Sequence, residues 1–204
     1  MENLQTVIDS LLARYNPDTV ILYGSFADGS TGSDSEFDAL LKADVPETIH
    51  DTSVLNGIQL DVFVYPTSAE PSPEEILPIY HGRVLLDKTG KGKDLYEKVR
   101  AYVENYPRKT EEEVKSELSW CEKMLLRSRR TDVEGNFRWH WVLCDSLDIY
   151  CDLRRQFYFG PKKALRWMEE SDPEGFRIYA QALSGMDHVS LENLIGYMKI
   201  LGYG

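Results

Sequence analysis

The chain has 204 residues, 42% of them hydrophobic, and a formal net charge of -11 at pH 7. That is length enough for one large or two small domains with their own cores, and it fits neither a disordered chain nor a disulfide scaffold. The acidity is uneven, with 8 Lys/Arg against 18 Asp/Glu in residues 1–106 and 15 against 16 in residues 107–204; such a surface repels a long phosphate backbone, disfavours nucleic-acid partners, and suits a small or cationic substrate.

Residues 3–15 place Leu4, Val7, Ile8, Leu11, Leu12 and Tyr15 at helical spacing, and Asn16-Pro17-Asp18 stops that helix. A first strand is expected over Thr19–Tyr23. A second, about Phe37–Lys42, follows a polar loop, and a third, Gln59–Tyr65, alternates strongly until Pro66. Residues 73–80 read as a short helix, Arg83–Asp87 as a short strand and Thr89–Gly92 as a turn. From Lys93 the pattern is helical over about 93–105, 110–130, 136–159, 161–170, 173–184 and 190–201, punctuated by Pro107, Gly135, Gly160-Pro161, Asp172-Pro173 and Gly185. The chain is therefore expected to split near Tyr106-Pro107, giving an α/β domain over 1–106 and a helical domain over 107–204.

Other features bound the setting. Cys121, Cys144 and Cys151 form no CxxC pair and lie among apolar residues, so they read as buried thiols of a reducing compartment. Met1–Ala13 carries Glu2 and Asp9 on an amphipathic pattern that is unlike a signal peptide, and no apolar stretch approaches membrane-spanning length. A soluble, cytoplasmic protein with no membrane partner is the expectation. Trp120, Trp139, Trp141 and Trp167 are expected to fill the helical core, and the four histidines (His50, His81, His140 and His188) lack metal-ligand spacing.

The stretch "ILYGSFADGSTGSDSEFDALL" carries the chemistry. Carboxylates inside an apolar strand are costly unless something positive compensates them. Glu36 and Asp38 are two apart, which puts both on one face of the second strand, and Asp61 can lie opposite them if the second and third strands pair. Three oxygen donors without an adjacent Lys or Arg suit Mg²⁺, which completes its shell with water and substrate phosphates. The Gly24-Ser25 turn supplies a close backbone approach and N–H and hydroxyl donors for a phosphate.

This arrangement resembles the nucleotidyltransferases of the DNA polymerase β-like superfamily, whose signature is G-S, ten residues, then D-x-D on the next strand, with a third Asp on a later strand. Here Gly24-Ser25 is followed by the ten residues Phe26–Ser35, then Glu36-Phe37-Asp38, then Asp61 in "QLDVFVY". The sequence departs from the pattern in having Glu36 for the first Asp, and Asp28 where many members carry Arg. A rival register pairs Asp34 with Glu36, breaking the ten-residue spacing.

The resemblance implies an α+β fold, with a minimal nucleotidyltransferase domain built on a mixed sheet followed by a helical bundle that binds the acceptor. It implies ATP as donor, two Mg²⁺ ions on Glu36, Asp38 and Asp61, nucleotide held by Gly24, Ser25 and Ser35, and catalysis by Asp61, Glu36 and Asp38. Small-molecule members of the superfamily, which adenylylate aminoglycoside or lincosamide antibiotics, share this order of domains, so the implied reaction is transfer of AMP to a hydroxyl of a small molecule. Two alternatives stand beside it: a protein AMPylator of toxin–antitoxin type, and a nucleotide-binding module without catalysis.

In the helix near 136–159, Trp141, Asp145, Asp148 and Asp152 share one face and could hold the ammonium groups of a cationic acceptor, or form a solvated face. The basic run from Arg127 to Arg166 reads as surface pairing.

Overall fold

The structure, a computed structural model, describes residues 2–130, 132–185 and 187–203. It is α+β, and it divides into two compact units, residues 1–105 and 106–204, at the point where the strand pattern gives way to the helical one. Each unit is described by itself.

In the first unit, β1 (Thr19–Leu22), β2 (Phe37–Ala43), β3 (Ile49–Asp51), β5 (Ile58–Pro66) and β6 (Arg83–Asp87) form a mixed sheet in the order β3-β5-β2-β1-β6, with β4 (Val54–Leu55) paired to β5. Only β2 and β5 run parallel, register-matched from Phe37 opposite Leu60 to Ala43 opposite Pro66. Their period of two sorts the side chains. Phe37, Ala39 and Leu41 with Leu60, Val62 and Val64 form one face, buried with Val7 and Leu11 of α1 (Glu2–Tyr15). The opposite face packs Ile21 and Leu40 against Ile76, Ile79 and the Leu95 and Val99 side chains of α3 (Lys91–Glu104). β2 is thus wholly apolar on the α1 face, while its α3 face carries Leu40 between Asp38 and Lys42, and Asp61 lies on that side as well.

β3, β4 and the hairpin into β5 were not anticipated from strand periodicity. Their signal is Asn56-Gly57, a two-residue loop in which both residues have positive φ (51° and 80°), the requirement of a type I′ hairpin. A Cβ on Gly57 would meet nothing within 4 Å, so Gly57→Ala tests the backbone alone. It is expected to cost about 1 kcal/mol, read as a lower urea midpoint.

Residues 73–80 were expected to be helical; the structure has a 3-10 turn at Leu77–His81, with Pro78 withholding a backbone donor. The second unit stacks α4 (Glu111–Ser128), α5 (Val133–Leu153), α6 (Pro161–Ser171), α7 (Pro173–Gly185) and α8 (His188–Tyr203) around Leu118, Met124, Val142, Tyr150, Met168 and Leu194. α5 ends at Leu153, six residues before the expected end at 159, because the chain turns there with Arg155 at φ 54°. Two burial expectations are corrected. Cys144 is exposed beside the buried Cys121 and Cys151, and Trp141 is 42% exposed because it stands on the outer face of α5, whereas Trp139 points into the core. Among the described residues no helix is long and apolar enough to cross a membrane.

Candidate active site

The strand face that carries Asp38 ends at a cluster of polar groups. Asp38 and Asp61 are register partners across the parallel β2–β5 pair, so their Cα atoms stand about 4.8 Å apart and both side chains leave the same face. Tyr23 follows β1, and its N–H donates to the Asp38 carbonyl at 3.0 Å. Its phenol is pushed up by burial and then by the charges of Asp61 and Asp38.

Gly24 begins a short helix, α2 (Gly24–Asp28), where a polar loop is expected. At φ 65° its backbone is left-handed, a region that favours glycine. A Cβ there would stand 2.0 Å from Asp38 Oδ2. The glycine therefore brings main chain into direct contact with the carboxylate. Ser25, the next residue, is buried.

Nothing in the spacing of the histidines singles out His50 of β3. In the structure its ring Nε2–H donates to Asp61 Oδ1 at 2.6 Å, and the ring stacks on Phe63 with centroids 4.2 Å apart and planes 8° from parallel. The β3–β5 register, which sets His50 opposite Phe63, puts it there.

Glu36 departs from its expected place. β2 starts at Phe37, so Glu36 and Ser35 belong to the preceding loop, with Glu36 exposed. Strand alternation therefore does not by itself fix Glu36 on the face of Asp38. Among the described residues no group of three or more His, Cys, Asp or Glu side chains is placed to hold a metal ion. The donor set formed by Asp38 and Asp61 fits the one or two carboxylates that Mg²⁺ takes alongside nucleotide phosphates, and it does not fit a three-carboxylate cage.

In the second unit, Trp141 Nε1–H donates to Asp145 Oδ2 at 2.6 Å, and the Trp141 ring is flanked by Trp120 and Phe137 at centroid distances of 5.7 and 5.9 Å. Asp152 pairs with Lys109 at 2.6 Å. Burial and the charge of Asp152 hold the Asp148 carboxyl above its usual range, with Lys109 opposing and Asp145 adding to the shift. Several of the basic residues pair locally, as Arg130 does with Asp132 and Arg138 with Glu134 at 2.6 and 2.5 Å.

No protein-family model and no curated protein matches the sequence. Among solved structures, the chain is similar to a nucleotidyltransferase-like protein from Exiguobacterium sibiricum 255-15, at 12% sequence identity and a TM-score of 0.44, with 99% of this chain and 74% of that one covered. A likeness so distant carries no weight for the reaction.

Proposed function

We propose that the first unit is a metal-dependent nucleotidyltransferase domain that moves AMP from ATP to a hydroxyl of a small molecule. The observation that supports this most directly is the contact of Gly24 with the Asp38 carboxylate, with Asp61 in register beside it. A phosphate-approaching turn and two carboxylates on one sheet face are what a metal-bound triphosphate needs.

In this reading Gly24 lets the main chain approach the β- and γ-phosphates, and Ser25 donates to their oxygens through its N–H and hydroxyl, with Ser35, on the loop before β2, as a further donor. Asp38 and Asp61 would hold Mg²⁺, with the exposed Glu36 of the preceding loop an outer carboxylate beside that pair. When bound, the metal neutralises charge on the phosphates and on the departing pyrophosphate. The acceptor oxygen forms the new bond to the α-phosphorus as the bond to pyrophosphate breaks, and Asp61 takes the hydroxyl proton. His50 fixes the rotamer of Asp61 through its Oδ1. For the acceptor, the Trp141, Asp145 and Asp148 surface of α5 suits a compound bearing ammonium groups, of the aminoglycoside or lincosamide kind.

The test is pyrophosphate release from ATP or GTP over a panel of hydroxylated acceptors with Mg²⁺. Asp38→Ala and Asp61→Ala are each expected to lower the rate by about 10³-fold or more, and Glu36→Ala by about tenfold. Release unaffected by Asp38→Ala would remove this assignment. A second reading, a nucleotide-binding module without turnover, is favoured by the exposed Glu36 and the His50 bond on Asp61; it predicts ATP binding with no pyrophosphate release in Mg²⁺ or Mn²⁺.

A further inference from the structure

The same unit contains a groove of about 490 Å³ between α3 and the strand segment around Lys42, lined among others by Lys42, Lys91, Lys98, Glu70, Asp94 and Glu97. Residues 1–106 hold 8 Lys/Arg, and three of them meet here in an otherwise acidic unit. Lys42 sits within β2 with 1% exposure, an expensive place for an ammonium group. Burial lowers its pKa, the Glu70 carboxylate counters this, and Lys91 and Lys98 lower it further, so the three ammonium groups feel one another, and of the groove's carboxylates it is Glu70 that acts on Lys42. Their protein partners use little of their capacity. Lys42 donates to the Ala69 carbonyl, Lys91 donates to the Thr67 carbonyl at 2.6 Å, and Lys98 pairs with Glu70, while each ammonium has three N–H donors. The Lys98–Glu70 pair is solvent-exposed, with side-chain exposures of 48% and 62%, and pairs of that kind are readily exchanged.

We propose that this groove is a binding site for the phosphate group of a small ligand, held by Lys42, Lys91 and Lys98, with the Glu70 carboxylate as the resident anion that the ligand displaces. Asp94 and Glu97 on α3 repel a long polyanion and restrict the site to a compact one. It is distinct from the Asp38–Asp61 pair, because Lys42 lies four residues along β2, about 13 Å from Asp38 at the strand rise.

The test is calorimetric titration of the full chain, at constant ionic strength, with inorganic phosphate, AMP and ATP in separate arms. Saturable binding is expected in at least one arm. It should weaken at least tenfold in the Lys91→Ala/Lys98→Ala double variant, whose substituted side chains reach the surface, and strengthen severalfold in Glu70→Gln. Asp38→Asn should leave the binding of inorganic phosphate unchanged. Phosphate binding as tightly as AMP assigns the site to free phosphate, and an AMP or ATP affinity above that of phosphate that survives Asp38→Asn assigns it to a nucleotide phosphate. No binding of any arm up to about 10 mM, affinities unmoved by the lysine and Glu70 variants, or phosphate binding abolished by Asp38→Asn would each overturn the proposal.

Discussion

Gly24→Ala is expected to lower pyrophosphate release about a hundredfold, the scale of a catalytic group displaced by about an ångström, while Gly29→Ala leaves it nearly intact. Both glycines have left-handed backbone, at φ 65° and 77°, and an alanine at either pays a comparable strain of about 1–2 kcal/mol. What differs is the neighbour. An added methyl at Gly24 would stand 2.0 Å from Asp38 Oδ2 and 2.6 Å from its Cγ, whereas at Gly29 it would meet nothing within 4 Å. The carboxylate must swing away from Asp61 or the turn must retreat from the phosphate path, and either change removes the arrangement on which the proposed transfer depends. The pair of variants thus separates backbone strain from displacement of Asp38. Equal rates for the two, each confirmed folded by circular dichroism, would mean that the contact between Gly24 and Asp38 has no part in turnover.

The juxtaposition of Asp38 and Asp61 was legible because it rests on period and parity. Two apolar runs, each broken by an acid at the parity of one face, need only pair in register to bring the acids together, and β2 and β5 do so. The same rule says less about Glu36, since parity has meaning only inside the strand and the chain enters β2 one residue later. His50 was invisible because β3 is three residues long, and its position follows from the Asn56-Gly57 hairpin that folds β4 onto β5. β3 is further tied down from the far side of the chain, where Arg14 Nη1 donates to Asp51 Oδ2 at 2.6 Å and Tyr15 O–H donates to the same oxygen at 2.8 Å. Pairings 36 and 37 residues apart leave no local pattern. Nor did Lys42 stand out, because a lysine at the end of a predicted strand usually reaches solvent, and only α3 and the loop after β5 enclose it.

Asp172→Ala is expected to destabilise the helical unit by about 3 kcal/mol, the sum of a lost helix cap and of hydroxyls left without an acceptor. Asp172 is 8% exposed and precedes α7, where its Oδ1 accepts from the Gly175 N–H at 3.1 Å. Tyr150 O–H donates to Oδ2 at 2.5 Å, and Tyr197 O–H lies 2.8 Å from both oxygens. One carboxylate thereby joins α5, α7 and α8. Burial alone would raise its pKa, but the donors from Tyr150, Tyr197 and Gly175, with the Arg154 charge, outweigh that and hold it below the ordinary carboxylate value. Because the folded value is the lower one, the ionised group stabilises fully above about pH 4–5, the unfolded range, and this contribution fades as pH falls through the folded value. Asp172→Asn keeps a cap acceptor and removes the titration. The difference in urea midpoint between wild type and Asp172→Asn should therefore narrow from pH 7 toward about pH 2.5. Tryptophan fluorescence reads this unit selectively, since Trp120, Trp139, Trp141 and Trp167 all lie in it. A midpoint difference that stays constant with pH would show that the charge on Asp172 contributes nothing and that only the shape of the cap matters.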